Sequence, residues 1–143
     1  MSDTERLREI AFAAKAHWGY DEQLVRDWAD AIRFPPEEQL LVEDGGWASV
    51  AIRGTVCWLD DLWVEPAAMG RGLGRRLFER AAALGRAHDC TTMEWEAEPN
   101  ALGFYERMGA SYLRDSEATE WGRVLPVMGV SLVSCPTPPS TRS

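Results

Sequence analysis

Apolar residues return at helical spacing over residues 4–17, where Leu7, Ile10, Phe12 and Ala14, followed by Trp18, predict one helix with Thr4 as its cap. Gly19 ends it, and Asp21 opens a second helix carrying Leu24, Val25, Trp28 and Ile32. Pro35 and Pro36 break the helical pattern. Short strands are predicted at 39–43 and 47–53, joined by Asp44-Gly45-Gly46 as a hairpin turn, and Gly54 leads into a longer strand at 55–64. Pro66 closes that strand, and Gly70, Gly72 and Gly74 mark a tight turn. From Leu73 to about Ala87, Leu77, Phe78, Ala81 and Leu84 form one apolar stripe of a central helix. A strand follows at 91–98, whose alternation puts Glu94, Glu96 and Glu98 on one face. Pro99-Asn100 opens a helix reaching about Met108, ended by Gly109, and 110–115 and 124–133 read as two last strands. The order ααβββαβαββ predicts an α/β (α+β) layered domain, a mixed sheet with helices on both faces. Residues 1–134 form the expected single domain, and the Pro-, Ser- and Thr-rich stretch 135–143 is expected to be a disordered tail.

Composition narrows the partners. A net charge of −8 argues against nucleic acid or an anionic membrane surface. No segment is apolar enough to span a bilayer, and MSDTERLREI has no signal-like apolar core, so a cytoplasmic protein is expected. Cys57, Cys90 and Cys135 lack metal-ligand spacing, which leaves buried thiols in a reducing compartment and no metal site. Charge is unevenly placed, however. Arg71, Arg75, Arg76, Arg80 and Arg86 fall in one window that holds a single acidic residue, Glu79.

That window is where chemistry is expected. A strand, a glycine turn and a helix deliver a helix N-terminus whose first amides lack internal partners. Glycines there let backbone approach a ligand, and the bare N–H groups at the positive helix end suit a phosphate. The element is therefore read as a pyrophosphate site, flanked by Arg71, Arg75 and Arg76. Spacing decides which carrier. A dinucleotide turn would need G-x-G-x-x-G, but Arg75 or Leu77 stands where the third glycine belongs. A P-loop would need Lys-Ser or Lys-Thr after a glycine, and none follows.

What remains, VEPAAMGRGLGRRL, resembles the acetyl-CoA loop of the GNAT superfamily of N-acetyltransferases, with Met69 at the usual Gln or Arg position and Gly72 and Gly74 matching. NALGFYERMGA at 100–110 is similar to a second family segment, with Gly103 where Ala is frequent. WLDDLWVEP resembles the preceding strand of the spermidine/spermine acetyltransferases, which carry an acidic pair there. The resemblance implies a GNAT-like, mostly antiparallel sheet of about six to seven strands. It also implies acetyl-CoA as co-substrate, with main-chain groups of Leu62, Trp63 and Val64 on the pantetheine arm. The amides of Gly70, Arg71, Gly72, Leu73, Gly74 and Arg75 would hold the diphosphate. Asn100 would bond the pantetheine while also capping its helix, with capping alone as the bland alternative.

The same resemblance implies Tyr105 as the acid that protonates the leaving thiolate; the bland alternative is a ring packed on Phe104 or Met108. Asp60 aligns with the base of the polyamine-acetylating relatives, against the alternative of an ion pair with an arginine. Strand alternation sends Asp60 and Asp61 to opposite faces, so only one is expected to face the cleft. Trp18, Trp28 and Trp58 are candidates for an acceptor pocket, and a small cationic amine is the expected acceptor. A homodimer through the terminal strands is expected from family behaviour alone. Two other readings stay open: a coenzyme A-binding sensor without turnover, and a generic nucleotide-binding domain.

Overall fold

The computed structural model describes residues 3–118 and 120–133. The elements are α1 (Asp3–Ala16), α2 (Glu22–Asp30), β1 (Leu40–Glu43), β2 (Gly46–Arg53), β3 (Val56–Val64), α3 (Leu73–Ala87), β4 (Thr92–Glu96), α4 (Leu102–Arg107), β5 (Ser111–Asp115) and β6 (Pro126–Ser131). Their order is the predicted ααβββαβαββ. Helix starts are less faithful to expectation. Asp21 caps α2, its side chain accepting from the Leu24 amide at 3.0 Å. Thr4, by contrast, already lies inside α1, so it is no cap. The expected tail at 135–143 and Cys135 lie outside the described residues.

The six strands form one sheet in the order β1-β2-β3-β4-β6-β5. Every neighbouring pair is antiparallel except β3 and β4, which α3 connects by a crossover. One face packs Val50, Leu59, Met93, Trp95 and Met128 against Leu77 and Phe78 of α3. The other packs Trp47 against Leu7, Ile10 and Ala11 of α1, with Trp28 and Phe34 beside them. The Trp47 indole N–H donates to the Leu7 carbonyl at 2.8 Å, which docks α1 on the sheet. Among the described residues, no helix is long and apolar enough to cross a membrane.

Two irregularities position the site. First, β3 and β4 pair only at Val56, Cys57 and Trp58, opposite Thr92, Met93 and Glu94. Beyond Trp58 the two strands diverge, and their inner edges are left to other partners. Second, Ser49 stands opposite Asp61 while Val50 stands opposite Leu59, so Asp60 is an extra residue in β3. This is a β-bulge, which re-aims the side chains around it. The strand expected at 91–98 ends at Glu96, because Glu98 turns out of the sheet to cap the next helical turn.

Candidate active site

The sequence Met69-Gly70-Arg71-Gly72 leaves the sheet in a turn held by positive φ at Gly70 (+80°) and Gly72 (+78°). Only glycine takes this conformation at little cost. Gly72 caps α3 without a side chain, so the first amides of the helix keep no partner from a cap. A Cβ at Gly70 or Gly72 would meet nothing within 4 Å, and both residues are exposed. Gly74 serves packing instead: a Cβ there would sit 3.2 Å from Phe104 Cε1. The three glycines thus do two different jobs.

This turn forms one end of a cleft of about 560 Å³. Of the residues expected to hold the carrier, Leu62, Trp63, Val64, Gly70, Gly72, Leu73, Gly74, Arg75 and Asn100 all line it. Arg71 is exposed and lies outside that lining. Arg76 is drawn away to Glu43 at 3.4 Å, and Arg80 reaches the same carboxylate at 2.8 Å. The basic window is therefore split between the cleft mouth and an ion-pair cluster with β1.

Tyr105 is buried on the cleft wall, 4.9 Å between ring centroids from Trp95 and 5.2 Å from Phe104. Burial, and after it the charges of Glu98 and Asp61, push its phenol above the usual range, so it keeps its proton through neutral pH. Asp60 and Asp61 both line the cleft. The bulge defeats the alternation that predicted only one of them there. Asp60 is exposed on β3; the partial loss of water it does suffer, then Asp61 and Glu96, raise its carboxyl, against the opposing pull of Arg53. Asp61 is fixed by Ser49 Oγ at 2.9 Å and by the Trp63 indole N–H at 2.9 Å.

A smaller pocket of about 120 Å³ shares the cleft's Leu59, Asp60, Asp61, Trp63, Glu96 and Glu98. Trp28 and Trp58 line this side pocket, whereas Trp18 lines the main cleft. Glu94, expected on the same face, bridges Arg114 at 3.1 Å.

Several residues that carry no local sequence signal converge here. The Tyr20 hydroxyl donates to Glu98 Oε2 at 2.6 Å and accepts from Asn100 Nδ2 at 3.2 Å and Arg123 Nη1 at 2.9 Å. Asn100 does not cap its own turn: Glu98 does, accepting from the Asn100 amide at 3.2 Å and from its Nδ2 at 2.9 Å. Trp121, held at φ +63°, packs its ring at a tilt against Tyr20 with centroids 5.2 Å apart. Lys15 is buried beneath these rings on the inner side of α1. Among the described residues, no group of His, Cys, Asp and Glu could hold a metal ion.

The family model for the acetyltransferase (GNAT) family matches residues 4–110. The peptidyl-lysine N-acetyltransferase YjaB of Salmonella typhimurium is 33% identical over 72 residues, which is 50% of this chain and 48% of that protein. The chain thus spans about half the length of such relatives. The PaiA N-acetyltransferase of Thermoplasma acidophilum, solved in complex with coenzyme A, superposes with a TM-score of 0.69 at 16% identity, covering 90% of this chain and 92% of that one. YncA from Salmonella typhimurium, solved with its cofactor acetyl-CoA, gives 0.61 at 20% identity over 96% and 94%. At these identities the likeness is one of fold.

Proposed function

Because this chain belongs to the GNAT acetyltransferase family, we propose that it transfers the acetyl group of acetyl-CoA to a primary amine by direct attack within a ternary complex. A small cationic amine is the acceptor in this reading. One observation carries it: a single cleft joins the open amides at the start of α3, the buried phenol of Tyr105 and the carboxylates on the β3 bulge.

Acetyl-CoA, when bound, supplies the activated thioester, and the residues present fit it. The glycine turn exposes unpartnered amides suited to a diphosphate, with Arg75 beside them, and the diverging edge at Leu62, Trp63 and Val64 offers main-chain groups to an amide-bearing arm. Tyr105 holds, through neutral pH, the proton that a departing thiolate needs. Asp60 draws a cationic amine toward the cleft and takes up its proton through an ordered water, and a raised carboxyl is the better base for that step. Asp61, pinned by Ser49 and Trp63, contributes fixed negative charge. We place the protein in a reducing compartment, the cytoplasm, where thiols such as the free Cys57 and Cys90 persist. Self-association through β5 fits the same picture, since this edge strand is exposed at every residue and turns Tyr112 and Leu113 outward.

YjaB, by its name, acts on peptidyl-lysine, and that relative supports a second reading in which the acceptor amine belongs to a protein. Thiol release from acetyl-CoA, measured with a panel of small amines and lysine peptides, separates the two. Tyr105→Phe should keep acetyl-CoA affinity and lose about 10²-fold or more in kcat. Heat of acetyl-CoA binding without thiol release from any acceptor would instead mark a coenzyme A sensor. Equal affinity for ATP or NAD would mark a generic nucleotide-binding domain.

A further inference from the structure

β3 and β4 pair side by side only as far as Trp58 and Glu94. Leu59 and Trp95 are the next residue on each strand, so they stand where the two begin to part. The cleft lies in this parting and widens toward the glycine turn that follows β3. Its narrow end is closed by the paired backbone behind and by two apolar side chains in front. Both are buried, at 3% and 1% exposure, and both line the cleft. Trp95 has no room to retreat. Phe78 meets it edge-on with ring centroids 5.4 Å apart, Tyr105 packs on it at 4.9 Å, and Met128 stands opposite it in the pairing with β6.

We infer that Trp95 and Leu59 form a stop that fixes the length of the transferred acyl group, admitting acetyl and refusing longer chains. The inference rests on the acetyl-transfer reading and adds the acyl selectivity of the same site. A carrier whose diphosphate is held at the glycine turn lays its arm along Val64, Trp63 and Leu62, toward the narrow end. In that reading Tyr105 protonates the departing sulfur, and Tyr105 packs directly on Trp95. The sulfur and the acyl group beyond it therefore come to rest beside the indole. Asp60, the residue after Leu59, draws the amine to the same place. An acetyl group ends there in a single methyl. Each further methylene would have to displace a ring backed by Phe78 and Met128, or open the strand pairing behind it. Packed interiors resist both.

Acetyl-, propanoyl- and butanoyl-CoA differ only in methylene count, which makes them the test. With the wild-type protein and one acceptor amine, kcat/KM from thiol release should fall about tenfold or more for each added methylene. Trp95→Phe gives up no hydrogen bond, because the indole N–H has no partner among the described residues. It should bring the butanoyl-to-acetyl ratio up toward one, and Leu59→Ala should do the same from the other strand. Met69→Ala, at the wide end beside the glycine turn, should leave that ratio at its wild-type value. The ratio cancels the fraction of active enzyme, so partial unfolding of a variant cannot imitate the result. A wild-type protein that uses butanoyl-CoA as well as acetyl-CoA overturns the inference. So does a preference unchanged in both Trp95→Phe and Leu59→Ala, or one that Met69→Ala shifts equally. Calorimetry with the three carriers asks the same question without an acceptor. If no amine gives thiol release from any carrier, the acetyl-transfer reading falls; tighter binding of acetyl-CoA would then still uphold the stop, and equal affinities would remove it.

Discussion

The Tyr20 hydroxyl and Glu98 Oε2, separated by 78 residues in sequence, are joined by a hydrogen bond of 2.6 Å. Through it the loop after α1 is tied to the turn before α4. Asn100 and Arg123 donate to the same hydroxyl, so the turn before β6 joins as well. Three loops that share no local pattern thus meet at one oxygen beside the side pocket.

Tyr20→Phe keeps the ring against Trp121 and Arg123 but removes all three hydrogen bonds. Stability should drop by about 1–3 kcal/mol, since a half-buried charged network loses its central hydroxyl. The acceptor KM should rise while acetyl-CoA affinity, set at the far end of the cleft, stays close to wild type. Urea unfolding and steady-state kinetics check both; an unchanged midpoint would show that the hydroxyl holds nothing in place.

Asp60→Asn should separate stability from activity. Folding raises the Asp60 carboxyl above its ordinary 3.8, so between those two values the folded chain binds more protons than the unfolded one. Stability therefore falls as pH rises through that window. The asparagine variant escapes this loss and should melt above wild type at neutral pH, with the gap closing on acidification below the ordinary carboxyl value. Its amine acetylation should nevertheless fall by about 10²-fold. Melting curves across pH decide it, and a variant less stable than wild type at neutral pH contradicts the account.

Gly72→Ala and Gly74→Ala should fail for different reasons. At Gly72, φ of +78° forces alanine into the left-handed region, at a cost of about 1–2 kcal/mol. At Gly74 the backbone is helical, and alanine gains about 1 kcal/mol of helix propensity. Its Cβ, however, would press on Phe104 at 3.2–3.3 Å and move a ring that lines the cleft. Calorimetry should show acetyl-CoA bound more weakly by both variants, with a lowered melting point for Gly72→Ala alone.

Cys57 should be chemically silent in the folded protein. Burial lifts its thiol to about 11, and Sγ points at the Ala81 carbonyl at 3.8 Å. Peptide mapping after treatment with a disulfide reagent at mildly alkaline pH should find Cys57 unlabelled until urea is added. Fast labelling in the native state would mean that the face under α3 opens.

Much of this molecule was legible along the chain. The spacing of Leu77, Phe78, Ala81 and Leu84 announced α3, and all but Leu84 are fully buried in the main core. The glycine turn announced open amides, and Gly70 and Gly72 do adopt positive φ. The cleft gathered every residue expected to hold the carrier except Arg71. Misreadings share one origin. Thr4 was a plausible cap only until α1 proved to begin before it. Asp60 and Asp61 were assigned to opposite faces by strict alternation, which a bulge set by pairing with β2 undoes. Arg76 pointed to the phosphate site by its neighbours in sequence, but Glu43 of β1 claims it.

By itself, then, the sequence determined the order of elements, the helix start suited to a phosphate and the family. Each of these depends on backbone periodicity or on a few consecutive residues, and such features are local. Tertiary structure alone decided that both aspartates face the cleft, and that Glu98, Asn100 and Arg123 close around the Tyr20 hydroxyl. It also decided that the chain's single lysine sits among aromatic rings from four separate segments. These relations require distant stretches to be brought into register by sheet pairing and core packing, and no local pattern in the residues encodes where those stretches will meet.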